Sequence, residues 1–503
     1  MAALRINILT NYAGQLWMAA TGLAFLPLYI RILGMEAFGL IGIMLSFQSF
    51  IQLFDFGIGN AVNRELSRRA HDPAQCAGAR DLVRTSEILI WLMALAAALL
   101  IWLCSRPLAD HWLHLRVLAR SDTSNAMAMI GFAIAFFWPS TFYANCLSGL
   151  EEQPKLNIVN SLFATLRYAG VVPVLLWVSP TIKAFLSWYA IVGISQSLTM
   201  AIIVWRELPQ GNRPARWFLK ELHGSYRFAG GLFITGILAI GVSQFDRLAL
   251  ATLRPLEELG YYTLAVSIAS GMGRVIQPMF NALYPRFTRL IAHDNEKALR
   301  ELYHFSSQCL AVIIASVAMV LIIFAHDVAL LWTGNADLAT KISLPLAMLV
   351  AGSALNGLMN IPYALQLANG WTRLAVSMNA ASLTIGIPYC LWAVSHYGAT
   401  GAASMWLLVN AFLVLTGIPL MHKRLLCGEM ARWYVHDVLP PVIAAGIAVS
   451  VGHWLLPTLR RNLDGFMLLI LMSGMALLSA ASASPLVRQL VLKRVWQWCT
   501  NRH

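Results

Sequence analysis

Leu53–Leu66 reads LFDFGIGNAVNREL. It closes a long apolar run, yet it holds one acid (Asp55), two spaced glycines (Gly57 and Gly59), and then the pair Arg64-Glu65. Three readings compete: a dinucleotide loop, a catalytic carboxylate, or the end of a membrane-crossing helix. A dinucleotide loop needs a preceding strand, a third glycine and a βαβ unit. The run at 37–58 is instead long enough to span a bilayer, so the stretch reads as the end of a transmembrane helix.

The rest of the chain agrees. A soluble chain of 503 residues suggests about three domains. Here 58% of residues are hydrophobic, only 12% are charged, and mean hydropathy is +0.65, which is a membrane composition. Fourteen runs of spanning length recur. Six lie at 8–30, 37–58, 84–104, 125–147, 157–178 and 184–205. Six more lie at 229–250, 259–281, 305–326, 341–363, 374–395 and 399–421, and a last pair at 438–456 and 465–484. The first run contains Pro27 and is followed by many like it, which argues against a cleaved signal peptide.

Charge placement gives an orientation. With the N-terminus inside, and with Arg84 and Lys341 at the first positions of their runs counted with the adjoining loops, the inner segments hold 24 of the 36 Lys and Arg, the outer segments hold 9, and Arg167, Arg247 and Arg274 fall within spans. This bias places both termini in the cytoplasm. It also explains the net charge of +13 without nucleic acid. Seven scattered cysteines with no CxxC pair indicate neither disulfides nor zinc.

A polar, basic linker at 206–228 separates helix six from helix seven. A shift of 221 residues brings EAFGL (36–40) onto EELGY (257–261) and NAVNRELSR (60–68) onto NALYPRFTR (281–289). Six helices per half then form two parallel repeats. The expected domains are a first six-helix bundle at 1–210, a second at 211–430, and a trailing helix pair with a basic tail at 431–503.

Enzyme and ATPase motifs fail. No Lys follows a Gly, so there is no phosphate-binding P-loop. No GxSxG elbow is present. His111 and His114 have no third metal ligand nearby. No extramembrane segment exceeds about 30 residues, so no soluble catalytic domain is expected. Neither a cofactor nor a metal is expected.

What remains is polarity inside the membrane. An arginine at bilayer depth costs about 2.5–3.5 kcal/mol on insertion scales, so it normally faces water or a partner. Arg167 shares a helix face with Asn157, Asn160 and Ala164. Arg247 follows Asp246, and adjacent positions point about 100° apart, so the two side chains are not simple partners. Arg274 shares a stripe with Ser267, Gly271 and Pro278. Helix two carries Gln48, Gln52 and Asp55; helix ten carries Ser353, Asn356 and Asn360; helix one carries Asn7 and Asn11. The amides serve either as interhelical glue or as cavity lining. The arginines point to a cationic central cavity and an anionic substrate, because a guanidinium binds phosphate through a planar fork.

These features resemble the Wzx-type polysaccharide flippases of the multidrug/oligosaccharidyl-lipid/polysaccharide exporter superfamily. The likeness is carried by NYAGQLWMAATGLAFLPLYIRILGMEAFGLIGI (11–43), by LFDFGIGNAVNREL, and by the fourteen-helix pattern. Asp55 and Gly57 match the family's DFG helix end. The resemblance implies an all-α membrane fold with two bundles in a V plus a trailing pair. It implies alternating-access flipping of an undecaprenyl-diphosphate-linked oligosaccharide to the outer leaflet, for O-antigen or exopolysaccharide assembly. Membrane lipids, a polysaccharide polymerase and a chain-length regulator are the implied partners. Asp55 and Asp246 are candidates for ion coupling. Competing readings are a lipid II flippase, a drug or metabolite exporter of the same superfamily, and a membrane polysaccharide polymerase or ligase.

Overall fold

The computed structural model describes residues 14–15, 17–18, 20–53, 57–69, 76–115, 117–209, 213–217, 226–455 and 463–490. Among these the chain is helical apart from turns and short connections, and its one extended pairing is an isolated bridge between His114 and Pro255. The main helices are α1 (Leu26–Leu33), α2 (Met35–Leu53), α3 (Ile58–Arg69), α4 (Cys76–Pro107), α5 (Arg120–Gly149), α6 (Gln153–Tyr168), α7 (Ile182–Glu207) and α8 (Tyr226–Leu253). They are followed by α9 (Leu256–Ala269), α10 (Gly271–Ala292), α11 (Glu296–Ile323), α12 (Ala336–Leu358), α13 (Asn360–Ala368), α14 (Arg373–Phe412), α15 (Leu439–Leu455) and α16 (Leu463–Ala483).

Nine helical segments among the described residues are long and apolar enough to cross a membrane, and Ala20–Leu33 and Met35–Phe50 are shorter apolar helices. One of the nine, Arg373–His422, contains two crossings, because Gly398 (φ 55, ψ −129) breaks its helix where the sequence places the gap between helices eleven and twelve. A left-handed φ is open to glycine without the Cβ clash. Large apolar side chains point outward along α4 at Leu92, Leu95, Leu99 and Leu103, each 49–61% exposed. Such a stripe on a helix suits hydrocarbon rather than water.

The chain divides into two compact units, Met1–Gly260 and Tyr261–His503. In the first, α3 to α7 enclose a core of Leu66, Ile90, Phe142, Leu147, Met200 and Val204. In the second, α11 packs on α15 and α16 through Val312, Phe324, Val449 and Met472, with Ala445, Ala476 and Ala480 letting the backbones approach.

Three element boundaries differ from the sequence reading. Gly57 (φ 73) stands immediately before α3, which runs on as a helix from Ile58 to Arg69 where the sequence reading has the chain released into a basic cytoplasmic segment. Val62 and Leu66 bury one side of α3, flanked by Glu65, which pairs with Arg69 at 3.0 Å. The eighth span, expected at 259–281, is two helices that meet at Ser270. The tenth, expected at 341–363, breaks at Met359.

The aligned glycines of the repeat meet in space within the first unit. A Cβ on Gly39 would collide with the carbonyl oxygen of Leu256, and one on Gly260 with that of Met35. Met35 and Leu256 are themselves 221 residues apart, so the two contacts exchange under the repeat shift. Only a residue without Cβ permits that backbone approach. The basic linker is tied down from far off in sequence. Buried Asp81 of α4 accepts from Arg213 Nη2 at 2.5 Å and from the Arg216 backbone N–H at 2.7 Å.

Candidate functional site

The clearest polar cluster in the first unit is built on α6. Ile158, Leu162 and Leu166 point outward along one face, while Asn157, Ala164 and Arg167 are buried on the other. Arg167 lies fourteen residues after Gln153 and eleven before Val178, near the middle of a 26-residue span. At 1.5 Å per residue that is roughly 20 Å from one end. Its Nη2 donates to Gln196 Oε1 of α7, and Gln196 Nε2 in turn donates to Asn160 Oδ1 at 3.1 Å. The guanidinium carbon sits 4.2 Å from the Phe137 ring centroid and 4.9 Å from that of Tyr189.

Amide and rings stabilise the cation without neutralising it. Among the described residues no carboxylate lies within ion-pair distance of Arg167, and its buried Nε–H has no acceptor. The arrangement is a fixed positive charge with spare donor capacity.

Arg247 repeats the device on α8. Its Nη1 donates to Gln244 Oε1 at 3.0 Å, and its Nε is buried without an acceptor. Asp246 is buried, and its Oδ1 accepts the Arg247 backbone N–H at 2.7 Å, so it caps the chain beside the guanidinium. Arg274 of α10 is exposed and lies in the second unit.

The helix-ten amides turn toward their neighbours. Asn356 Nδ2 donates to Asn410 Oδ1 at 2.8 Å, and Asn360 Nδ2 donates to the carbonyls of Asn356 and Gly357 at 3.1 and 3.3 Å. Asn11 and Asp55 lie outside the described residues, as does the side chain of Gln52.

A second cluster, in the second unit, was not read from the sequence. His304 of α11 is fully buried; its Nδ1 meets Asp437 Oδ2 and its Nε2 meets Glu429 Oε2 at 3.1 Å. Gln308 Nε2 donates to Asp437 Oδ1 at 2.9 Å, and the Leu486 backbone N–H donates to Gln308 Oε1 at 2.9 Å. Arg300 and Arg432 approach Glu429 at 3.4 and 3.6 Å. Tyr303 and His422 meet edge to face beside it, with OH to Nε2 at 3.2 Å. The expected spans begin at 305 and 438, one residue beyond His304 and Asp437, so neither side chain counted as intramembrane polarity. Among the described residues no group of His, Cys, Asp or Glu is arranged to hold a metal ion.

Comparison with known proteins adds a frame. Residues 4–291 match the model of the polysaccharide biosynthesis protein family, and residues 232–392 match the MatE family. A putative O-antigen transporter of Shigella flexneri is 21% identical over 79% of this chain and 92% of its own. The lipid II flippase MurJ, in an inward closed conformation, has a similar fold: TM-score 0.71, 10% identity, with 97% of this chain and 99% of that one covered. An inward-facing multidrug resistance MATE family transporter is similar at TM-score 0.66 and 14% identity, over 85% and 96%. These relatives and fold neighbours are transporters and flippases, not enzymes. The first family match covers more than half of the 503 residues, and the chain belongs to the polysaccharide biosynthesis protein family.

Proposed function

We propose that the protein flips an undecaprenyl-diphosphate-linked oligosaccharide from the inner to the outer leaflet of a bacterial inner membrane, with both termini in the cytoplasm. The observation that carries this reading is Arg167: a guanidinium mid-span, held by an amide and two aromatic rings instead of a carboxylate. A permanently uncompensated cation in the membrane costs several kcal/mol unless something anionic visits it. A diphosphate fits both the charge and the planar donor fork. The Shigella relative's name supports a glycan load on that diphosphate.

Arg247 is a further cation for the head group in the first unit, and Arg274 in the second. Asp55 and Asp246 are candidates for coupling to an ion, and Gln52, Asn11, Asn356 and Asn360 for polar lining. The energetics suffice without ATP. One charge moved through 100 mV is worth about 2.3 kcal/mol, so a dianion leaving a negative interior gains roughly 4–5 kcal/mol.

The test is complementation of a flippase-deficient strain. Wild-type protein restores surface polysaccharide, and Arg167→Ala, at matched membrane levels, lowers it about tenfold or more. If Arg167→Ala, Arg247→Ala and Arg274→Ala all restore it fully, the cationic-path reading is wrong. Rescue of a lipid II flippase depletion instead would move the substrate to lipid II, which carries the same diphosphate.

A further inference from the structure

One face of α10 has no role in the packing described above. This helix buries Met272, Ile276, Leu283 and Phe287. On the opposite side Arg274, Gln277, Asn281, Tyr284 and Thr288 are exposed. Each set recurs at steps of three, four or seven residues, so each is a single stripe of an α-helix. Gln277 and Asn281 lie within the eighth membrane run, where exposed amides cannot face hydrocarbon at low cost. The stripe therefore faces water.

Three aromatic rings sit along it. Phe280 and Tyr284 are near-parallel (2°) with centroids 6.1 Å apart, and Phe280 and Tyr363 of α13 lie at 6.0 Å and 23°. Tyr284 and Tyr363 are 39% and 38% exposed, and among the described residues neither hydroxyl has a hydrogen-bond partner. Beside the rings, Gln277 Nε2 donates to Asn281 Oδ1 at 3.2 Å. That bond fixes both amides and leaves Gln277 Oε1 as an acceptor and Asn281 Nδ2 as a donor, neither engaged among the described residues.

The combination selects one chemistry. The exposed parts of Tyr284 and Tyr363 offer aromatic surface to the C–H face of a pyranose. Sugar hydroxyls need donors and acceptors together, which amides supply and lysines do not. An acyl chain gains nothing from the amides, and a simple anion gains nothing from the rings. Arg274 stands one turn before Gln277, where it meets the anionic group to which a glycan is joined.

We propose that this stripe is a glycan-binding subsite. Phe280, Tyr284 and Tyr363 stack on sugar rings, Gln277 and Asn281 bond hydroxyls, and Arg274 meets the adjoining phosphate. The source of the glycan rests on the flippase reading; the chemistry of the stripe does not.

The test uses the purified full-length protein and three probes: a polyprenyl diphosphate carrying N-acetylglucosamine, the same lipid without sugar, and free chitobiose. The double variant Tyr284→Ala/Tyr363→Ala should weaken the sugar-bearing lipid about tenfold and leave the bare lipid unchanged. Tyr284→Phe/Tyr363→Phe keeps the rings and should lose less than about threefold. Both pairs are at exposed positions, and a monodisperse elution peak checks folding. The proposal is overturned if the double alanine variant leaves the ratio of sugar-bearing to bare affinity unchanged. If the wild type binds both lipids equally and ignores chitobiose, the subsite is wrong while the flippase reading stands. If it binds chitobiose through these tyrosines and neither lipid, the subsite stands and the flippase reading falls.

Discussion

Arg167 in the first unit and His304 in the second are both buried in helices of spanning length, yet their company differs. Arg167 has Gln196, Phe137 and Tyr189; His304 has Asp437 and Glu429, with Gln308 behind. The first set solvates a cation and leaves its charge standing. The second offers the imidazole an acid on each side, and Arg300 and Arg432 meet Glu429 in turn, so each acid finds its partners inside the protein. A balanced cluster has no electrostatic use for a visiting ion, and its natural role is to lock α11 to the segment that leads into α15. An unbalanced one spends stability to keep an anion site open. Arg247, held by Gln244, belongs with the first kind.

The largest effect is expected where the balance is broken. Asp437→Ala leaves His304 Nδ1 and Gln308 Nε2 without their partner in a dry interior. Removing one partner from such a buried pair costs about 3–5 kcal/mol. The variant should unfold well below wild type in detergent, or fail to accumulate in membranes. Asp437→Asn, which keeps shape and one acceptor, should lose less. A wild-type melting temperature for Asp437→Ala would show that the second cluster is not a lock.

The comparison can also be inverted in the first unit. Gln196→Glu places a carboxylate against Arg167 and so makes the first cluster resemble the second. Ion pairing should hold or raise the melting temperature, since the guanidinium gains a charged acceptor. Transport should fall about tenfold, because the substrate must now compete with a resident anion at an effectively saturating local concentration. Normal transport by Gln196→Glu would show that the unbalanced charge on Arg167 is not what the substrate uses.

How far these regions are legible in the sequence follows from the same physics. Span count, the repeat and the Gly398 break show in hydropathy and spacing, because a bilayer fixes helix length. Arg167 shows because a lone arginine interrupts a long apolar run. His304 and Asp437 do not show: each sits at a span's end among other polar residues, and only tertiary packing brings them together across 133 positions. The α3 helix was hidden for the opposite reason. Its polar residues outnumber its apolar ones, and its amphipathic side, Val62 and Leu66, has meaning only against the core it meets. The aromatic row on α10 is half visible, since Phe280 and Tyr284 are one turn apart, but Tyr363 joins them from another helix.

The smallest effect separates polarity from charge. Asn356 bonds Asn410, and Asn360 bonds two carbonyls at the junction of α12 and α13. These amides carry no charge and find their partners within the second unit, so they fit the role of interhelical glue. Interhelical hydrogen bonds of this kind average about 0.6 kcal/mol in membrane proteins. Asn356→Ala should therefore lower the melting temperature by only a degree or two and leave polysaccharide restoration at the wild-type level. A transport defect in Asn356→Ala at normal stability would mean that neutral amides, and not only the cations, contact the substrate. The line between locking and transporting residues would then run through hydrogen-bonding capacity instead of through uncompensated charge.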